Sequence, residues 1–107
     1  DSWSGIAEIN YELPDRDAVG EVACNLAVQA CEEIIANAVR HGGASKIDIH
    51  FKVESDLLKV IVDDNGKLNP ASARGLGSSL LDRLTLNWYR ENLETGHRVN
   101  FEVAKSR

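Results

Sequence analysis

From Asp15 to His41 small and apolar residues recur at threes and fours: Val19, Ala23, Leu26, Ala27, Ala30, Ile34 and Ala38. That spacing lays them along one stripe of a long α-helix. Gly42-Gly43 ends it, because glycine takes the left-handed conformation that closes helices. A helix with one apolar stripe needs a second layer to cover it. The rest of the chain reads mainly as strands. Gly5 to Leu13 alternates in part, with Ala7, Ile9, Tyr11 and Leu13 as the more apolar side. It predicts a half-buried strand stopped by Pro14, with Asp15 or Asp17 capping the helix. Ile47, Ile49, Phe51 and Val53 alternate with Asp48, His50 and Lys52, then Leu58, Val60 and Val62 with Lys59, Ile61 and Asp63. Ser55-Asp56 makes these two a hairpin, and His50 falls on its solvated face. Asp64 to Gly77 has no apolar period and carries Asn65-Gly66, Asn69-Pro70, Gly75 and Gly77, which predicts a loop. A short helix over Ser78 to Leu84 follows. Strands over Thr85 to Glu91 and Arg98 to Ala104 then flank a turn at Glu94-Thr95-Gly96. The order implies an α+β fold, a two-layer sandwich of a mixed, mostly antiparallel sheet with helices on one face.

The 107 residues make one domain, and 43% hydrophobic with 27% charged residues is the balance of a globule with its own core. Twelve scattered Lys and Arg face seventeen acids, for a net charge of −5. Sequence-blind nucleic-acid binding needs clustered cations, so DNA and RNA are not expected partners. No run is expected to cross a bilayer, so no direct membrane contact is expected of this domain. A start at Asp1-Ser2-Trp3 without methionine is expected of a piece of a longer chain. Cys24 and Cys31 stand two helical turns apart, about 10 Å, which is too far for a disulfide. They are expected in the core, and two reduced thiols fit a cytoplasmic setting.

Three groups of residues can carry chemistry. Glu33, Asn37 and His41 lie at i, i+4 and i+8 on the rim of the helix stripe, with Arg40 beside them. Such a stripe is either a solvated helix edge or one wall of a pocket between helix and sheet. Asp64 ends an apolar strand just before Asn65-Gly66. That is either a plain turn or a carboxylate held over a pocket mouth to accept hydrogen bonds from a ligand amine. Gly75-Leu76-Gly77-Ser78 leads into a helix, where backbone N–H groups and the helix dipole favour an anion. It is not a P-loop, since no Gly-Lys-Ser/Thr ends it.

Taken in order, these segments resemble the ATP-binding catalytic domain shared by histidine kinases, gyrase-type topoisomerases, Hsp90 and mismatch-repair proteins. Glu33-Ile34-Ile35-Ala36-Asn37-Ala38-Val39-Arg40-His41 looks like the N box of that superfamily. The continuation Gly42-Gly43-Ala44-Ser45-Lys46-Ile47-Asp48-Ile49 is similar to sensor histidine kinases paired with helix-turn-helix response regulators. Asp64-Asn65-Gly66 and Gly75-Leu76-Gly77 look like its two glycine boxes. The resemblance implies a Bergerat-type ATP-binding fold and two cofactors, ATP and Mg2+. By it, Asn37 would bind the magnesium ion and Glu33 would orient or activate the attacking group. Arg40 and His41 would lie near the phosphates. Asp64 would accept from the adenine amine, and Gly66 would let the backbone pass close to the base. Gly75, Leu76, Gly77 and Ser78 would seat the phosphates. The phosphoacceptor would be a histidine on a separate dimerisation domain of the same kinase, with a response regulator downstream.

The chain departs from that pattern in three places. Leu68 stands where the first glycine box has its second glycine, and the lid from Lys67 to Arg74 is short. His97 follows Gly96 where relatives tend to have threonine, and it is assigned to a turn. Two other readings share the fold. One is an anti-sigma-factor-like serine kinase, which the short lid and Trp88 suggest. The other is a nucleotide-free protein-interaction domain, which Leu68 and His97 suggest.

Overall fold

A computed structural model describes residues 7–66 and 78–105, apart from the side chains of His41, Ser78 and Ser79. The elements are β1 (Glu8–Tyr11), α1 (Arg16–Val19), α2 (Glu21–Gly42), β2 (Lys46–Val53), β3 (Leu57–Asp64), α3 (Ser78–Leu84), β4 (Asn87–Leu93) and β5 (Gly96–Ala104). The sheet order is β1-β2-β3-β5-β4. β1 runs parallel to β2, and every other neighbouring pair is antiparallel. This is the expected mixed, mostly antiparallel sheet. The one parallel pair follows from the connection: β1 and β2 are joined through the long helix, whereas β2–β3 and β4–β5 are hairpins.

The expected single helix from Asp15 is two helices. Gly20 sits between them at φ 93° and ψ 150°, a conformation open to glycine, and breaks the regular turn. Its N–H donates to the Arg16 carbonyl at 2.7 Å, and its own carbonyl accepts from Cys24 N–H at 3.1 Å, starting α2. Of the two candidate caps, Asp15 does the work: its Oδ1 accepts from Asp17 N–H at 2.9 Å. At the far end Gly43, at φ 67°, closes α2 as predicted.

The core is the helix stripe against one sheet face. Ala23, Cys24, Ala27, Ala30, Cys31, Ile34 and Ile35 of α2 are buried with Ile47 and Ile49 of β2, Leu58, Val60 and Val62 of β3, and Val99, Phe101 and Val103 of β5. Strand alternation places all of these strand residues on the same side, so the helices cover one face only. Burying each of the larger side chains contributes about 1.5–3 kcal/mol. Both cysteines are free and buried, as expected. By length and composition Glu21–Arg40 could cross a membrane, against expectation. Core helices pass the same test, and the apolar stripe of α2 is spent on the sheet.

Several boundaries shift. β1 is shorter than Gly5 to Leu13; Ile9 packs on the core, but Tyr11 and Leu13 are exposed. β4 starts at Asn87 rather than Thr85, because Thr85 caps the end of α3: its N–H and Oγ1 both donate to the Leu81 carbonyl. β5 starts at Gly96 rather than Arg98, which takes His97 out of the turn and into the sheet. His50 is exposed, as predicted.

Candidate functional site

The C-terminal end of α2 and the end of β3 meet at the same edge of the core. β3 and β5 pair so that Leu58, Val60, Val62 and Asp64 oppose Val103, Phe101, Val99 and His97. The first three pairs are the apolar row. The fourth is polar and ends it, facing the helix layer. The preceding pair, Asp63 and Arg98, points the other way. There Arg98 Nε and Nη2 donate to the two Asp63 oxygens at 2.7 and 3.0 Å on the open face of the sheet. That bond holds the guanidinium more firmly in its charged form. Alternation alone therefore separates the two acids. Asp63 is committed to a surface ion pair and Asp64 is turned inward, where its side chain is only 6% exposed.

Asp64 is held from two sides. Gly66 N–H donates to its Oδ1 at 2.8 Å, and His97 Nδ1 stands 3.4 Å from the same oxygen. Gly66 is packed too tightly for a side chain. A Cβ there would lie 2.8 Å from the Gly42 carbonyl oxygen, in the last residue of α2. A Cβ at Gly96 would overlap the Asp64 carbonyl oxygen, so β5 can begin beside β3 only with glycine at that position.

Asn65 is more than a turn former. Its Oδ1 accepts from the N–H groups of Ser45 and Lys46 at 2.9 and 3.0 Å, and its Nδ2 donates to Ser45 Oγ at 3.0 Å. It ties the end of β3 to the start of β2, just past the α2 cap. Sequence reasoning missed this clamp and missed His97. The Ser45-Lys46 partner lies about twenty positions away, so no local signal marks it. The His97 partnership follows from the β3–β5 register, and these strands are not consecutive in the chain.

On α2, Glu33 and Asn37 are half-buried and Arg40 is exposed, as expected of a stripe bordering the core. Asn37 Nδ2 lies 3.5 Å from Glu33 Oε1, a long contact. The pairing turns two oxygen-bearing side chains to one side of the helix. Among the described residues, no three His, Cys, Asp or Glu side chains come together to hold a metal ion. The oxygens of Asn37 and Glu33 are of the kind that suits a hard cation such as magnesium. Gly75, Leu76, Gly77, Leu68 and the lid lie outside the described residues, as do the side chains of His41 and Ser78. A hollow of about 30 Å³ lined by Pro14, Cys24, Phe51 and Leu58 lies toward the β2–β3 turn, away from Asp64, and takes no part in this site.

No protein-family model matches the chain. The sensor histidine kinase LnrJ of Bacillus subtilis (strain 168) is 32% identical over 78 residues, which make up 73% of this chain and 18% of LnrJ. The chain thus spans under a fifth of that relative's length. Among solved structures, a nucleotide-free catalytic domain of histidine kinase ThkA superposes with a TM-score of 0.73 at 19% identity, over 97% of this chain and 83% of that one. The ATP-binding domain of PrrB from Mycobacterium tuberculosis superposes with a TM-score of 0.71 at 21% identity, over 96% and 83%. The fold is that of histidine kinase catalytic domains.

Proposed function

We propose, for a chain that folds as histidine kinase catalytic domains do and resembles a sensor histidine kinase in sequence, that it binds ATP with magnesium. It would then supply the γ-phosphate for a histidine on a separate dimerisation domain. The observation that carries this reading is the contact of Gly66 with Gly42. It joins the strand end bearing Asp64 to the helix end bearing Asn37 and Arg40, so base and phosphates would find their partners on two elements that touch.

In this reading Asp64 accepts from the adenine amine and Gly66 leaves the base room to approach. Arg40 and His41 would lie near the phosphates, and Gly75, Leu76, Gly77 and Ser78 would seat them. The magnesium ion neutralises phosphate charge when bound, and Asn37 supplies a protein oxygen to it. Glu33, next to Asn37, orients the incoming imidazole or takes its proton. Phosphoryl transfer asks mainly for such positioning and charge neutralisation. The acceptor comes from the dimerisation domain, a response regulator takes the phosphoryl group onward, and the domain works on the cytoplasmic side of its parent.

Calorimetric titration of this chain with ATP tests the reading. Binding is expected in the wild type and raises the melting temperature, because ATP binds only the folded state. Asp64→Asn should abolish binding while the fold persists. Normal ATP affinity in that variant would reject the base assignment.

A further inference from the structure

We infer that His97 is a positioning residue for the base-recognising carboxylate: its Nδ1–H holds Asp64 Oδ1, so that Oδ2 is the oxygen offered to the exocyclic amine of a purine. This rests on the reading of Asp64 as the base acceptor. Asp64 and His97 are direct cross-strand partners on the core-facing side of β3 and β5. Both side chains are about nine-tenths buried, at 6% and 11% exposed. The proton is assigned to Nδ1, the ring nitrogen turned toward the carboxylate, whose oxygen accepts it. Gly66 N–H meets the same Oδ1 at 2.8 Å, and His97 Nδ1 lies at 3.4 Å. Among the described residues no hydrogen bond reaches Oδ2.

Two donors on one oxygen fix the rotation of the carboxylate and keep it an acceptor. An acceptor-only Oδ2 pairs with an amine and repels a carbonyl, which is the difference between the six-position of adenine and that of guanine. The imidazole has the reach for this contact. A threonine hydroxyl at the same position ends one atom short of where Nδ1 stands.

The test is titration of this chain and its variants with ATP and GTP. Asparagine places Nδ2 where the Nδ1 of histidine stands, and leucine places a methyl group there. His97→Leu should weaken ATP binding about tenfold, as loss of a hydrogen bond to a charged group implies, and narrow the ATP-to-GTP preference by the same factor. His97→Asn should keep both close to wild type. Should the leucine variant fail to fold, His97→Val provides the same comparison. A folded leucine or valine variant with wild-type preference overturns the inference, as does an equal loss in the leucine and asparagine variants. If Asp64→Asn binds ATP normally, or the wild type binds none, the base-site reading itself fails and takes this inference with it. If Asp64→Asn loses binding while His97→Leu does not, only this inference falls.

Discussion

Gly66→Ala is the substitution in which the packing of the site can be read most directly. The added Cβ would lie 2.8 Å from the Gly42 carbonyl oxygen and 3.1 Å from both the Gly42 carbonyl carbon and Asp64 Oδ1. Ordinary contact needs roughly 0.6 Å more at the closest of these, and both α2 and β3 are anchored in the core. If the overlap is absorbed in place, overpacking costs about 1–3 kcal/mol. If residue 66 swings outward instead, its N–H leaves Asp64, and a hydrogen bond to a charged group contributes about 1.5–3 kcal/mol. Either route centres on about 2 kcal/mol, or roughly 9 °C in melting temperature for a domain of this size. The first route crowds Asp64 Oδ1 and the second removes the Gly66 N–H from it, so ATP affinity should fall, by about tenfold where the hydrogen bond is lost. Gly43→Ala is the control. Its Cβ would meet nothing within 4 Å, but φ is +67°. It should cost about 1 kcal/mol through backbone strain alone and leave ATP affinity unchanged. Urea melts and calorimetry on both variants decide the matter. A Gly66→Ala protein of wild-type stability and affinity would refute the close approach of α2 to β3 on which the proposed site depends.

Two further outcomes follow from the same geometry. Asn37→Ala should remove the increment that magnesium adds to ATP affinity while leaving magnesium-free binding in place; titration with and without the metal reads this, and an undiminished increment would reject Asn37 as an ion ligand. Burial, reinforced by Glu32, pushes the Cys31 thiol up to about 12. The unfolded thiol loses its proton near pH 8.5, so this contribution to stability is whole below that pH and fades above it, by up to about 1.4 kcal/mol per pH unit. Cys31→Ala should lack that alkaline slope in unfolding experiments between pH 7.5 and 10, and parallel curves for the two proteins would contradict the burial.

The element types were legible because each carries its own period. The α2 stripe, the alternation of β2 and β3, and the closing glycine at Gly43 are local properties, and the structure has all of them. The helix interruption at Gly20 was harder to see. The apolar period runs through it, with Val19 and Ala23 both buried on either side of the break. Of the site, Glu33 and Asn37 on the rim of α2 follow from helical spacing, and Asp64 follows from its place after an apolar strand.

What the residue order determined, then, is which segments are helix or strand and which side of each is apolar, because periodicity is a property of neighbours along the chain. Only the folded sheet decided that β5 lies beside β3 rather than at an edge, and that Asp64 therefore meets His97. The same assembly gave Asp63 its partner Arg98 and turned Asn65 into a clamp on Ser45 and Lys46. Those outcomes depend on register between segments more than thirty residues apart, or on the end of β3 returning beside the start of β2 about twenty residues back. Such contacts are selected by packing the whole core at once, which no local pattern encodes.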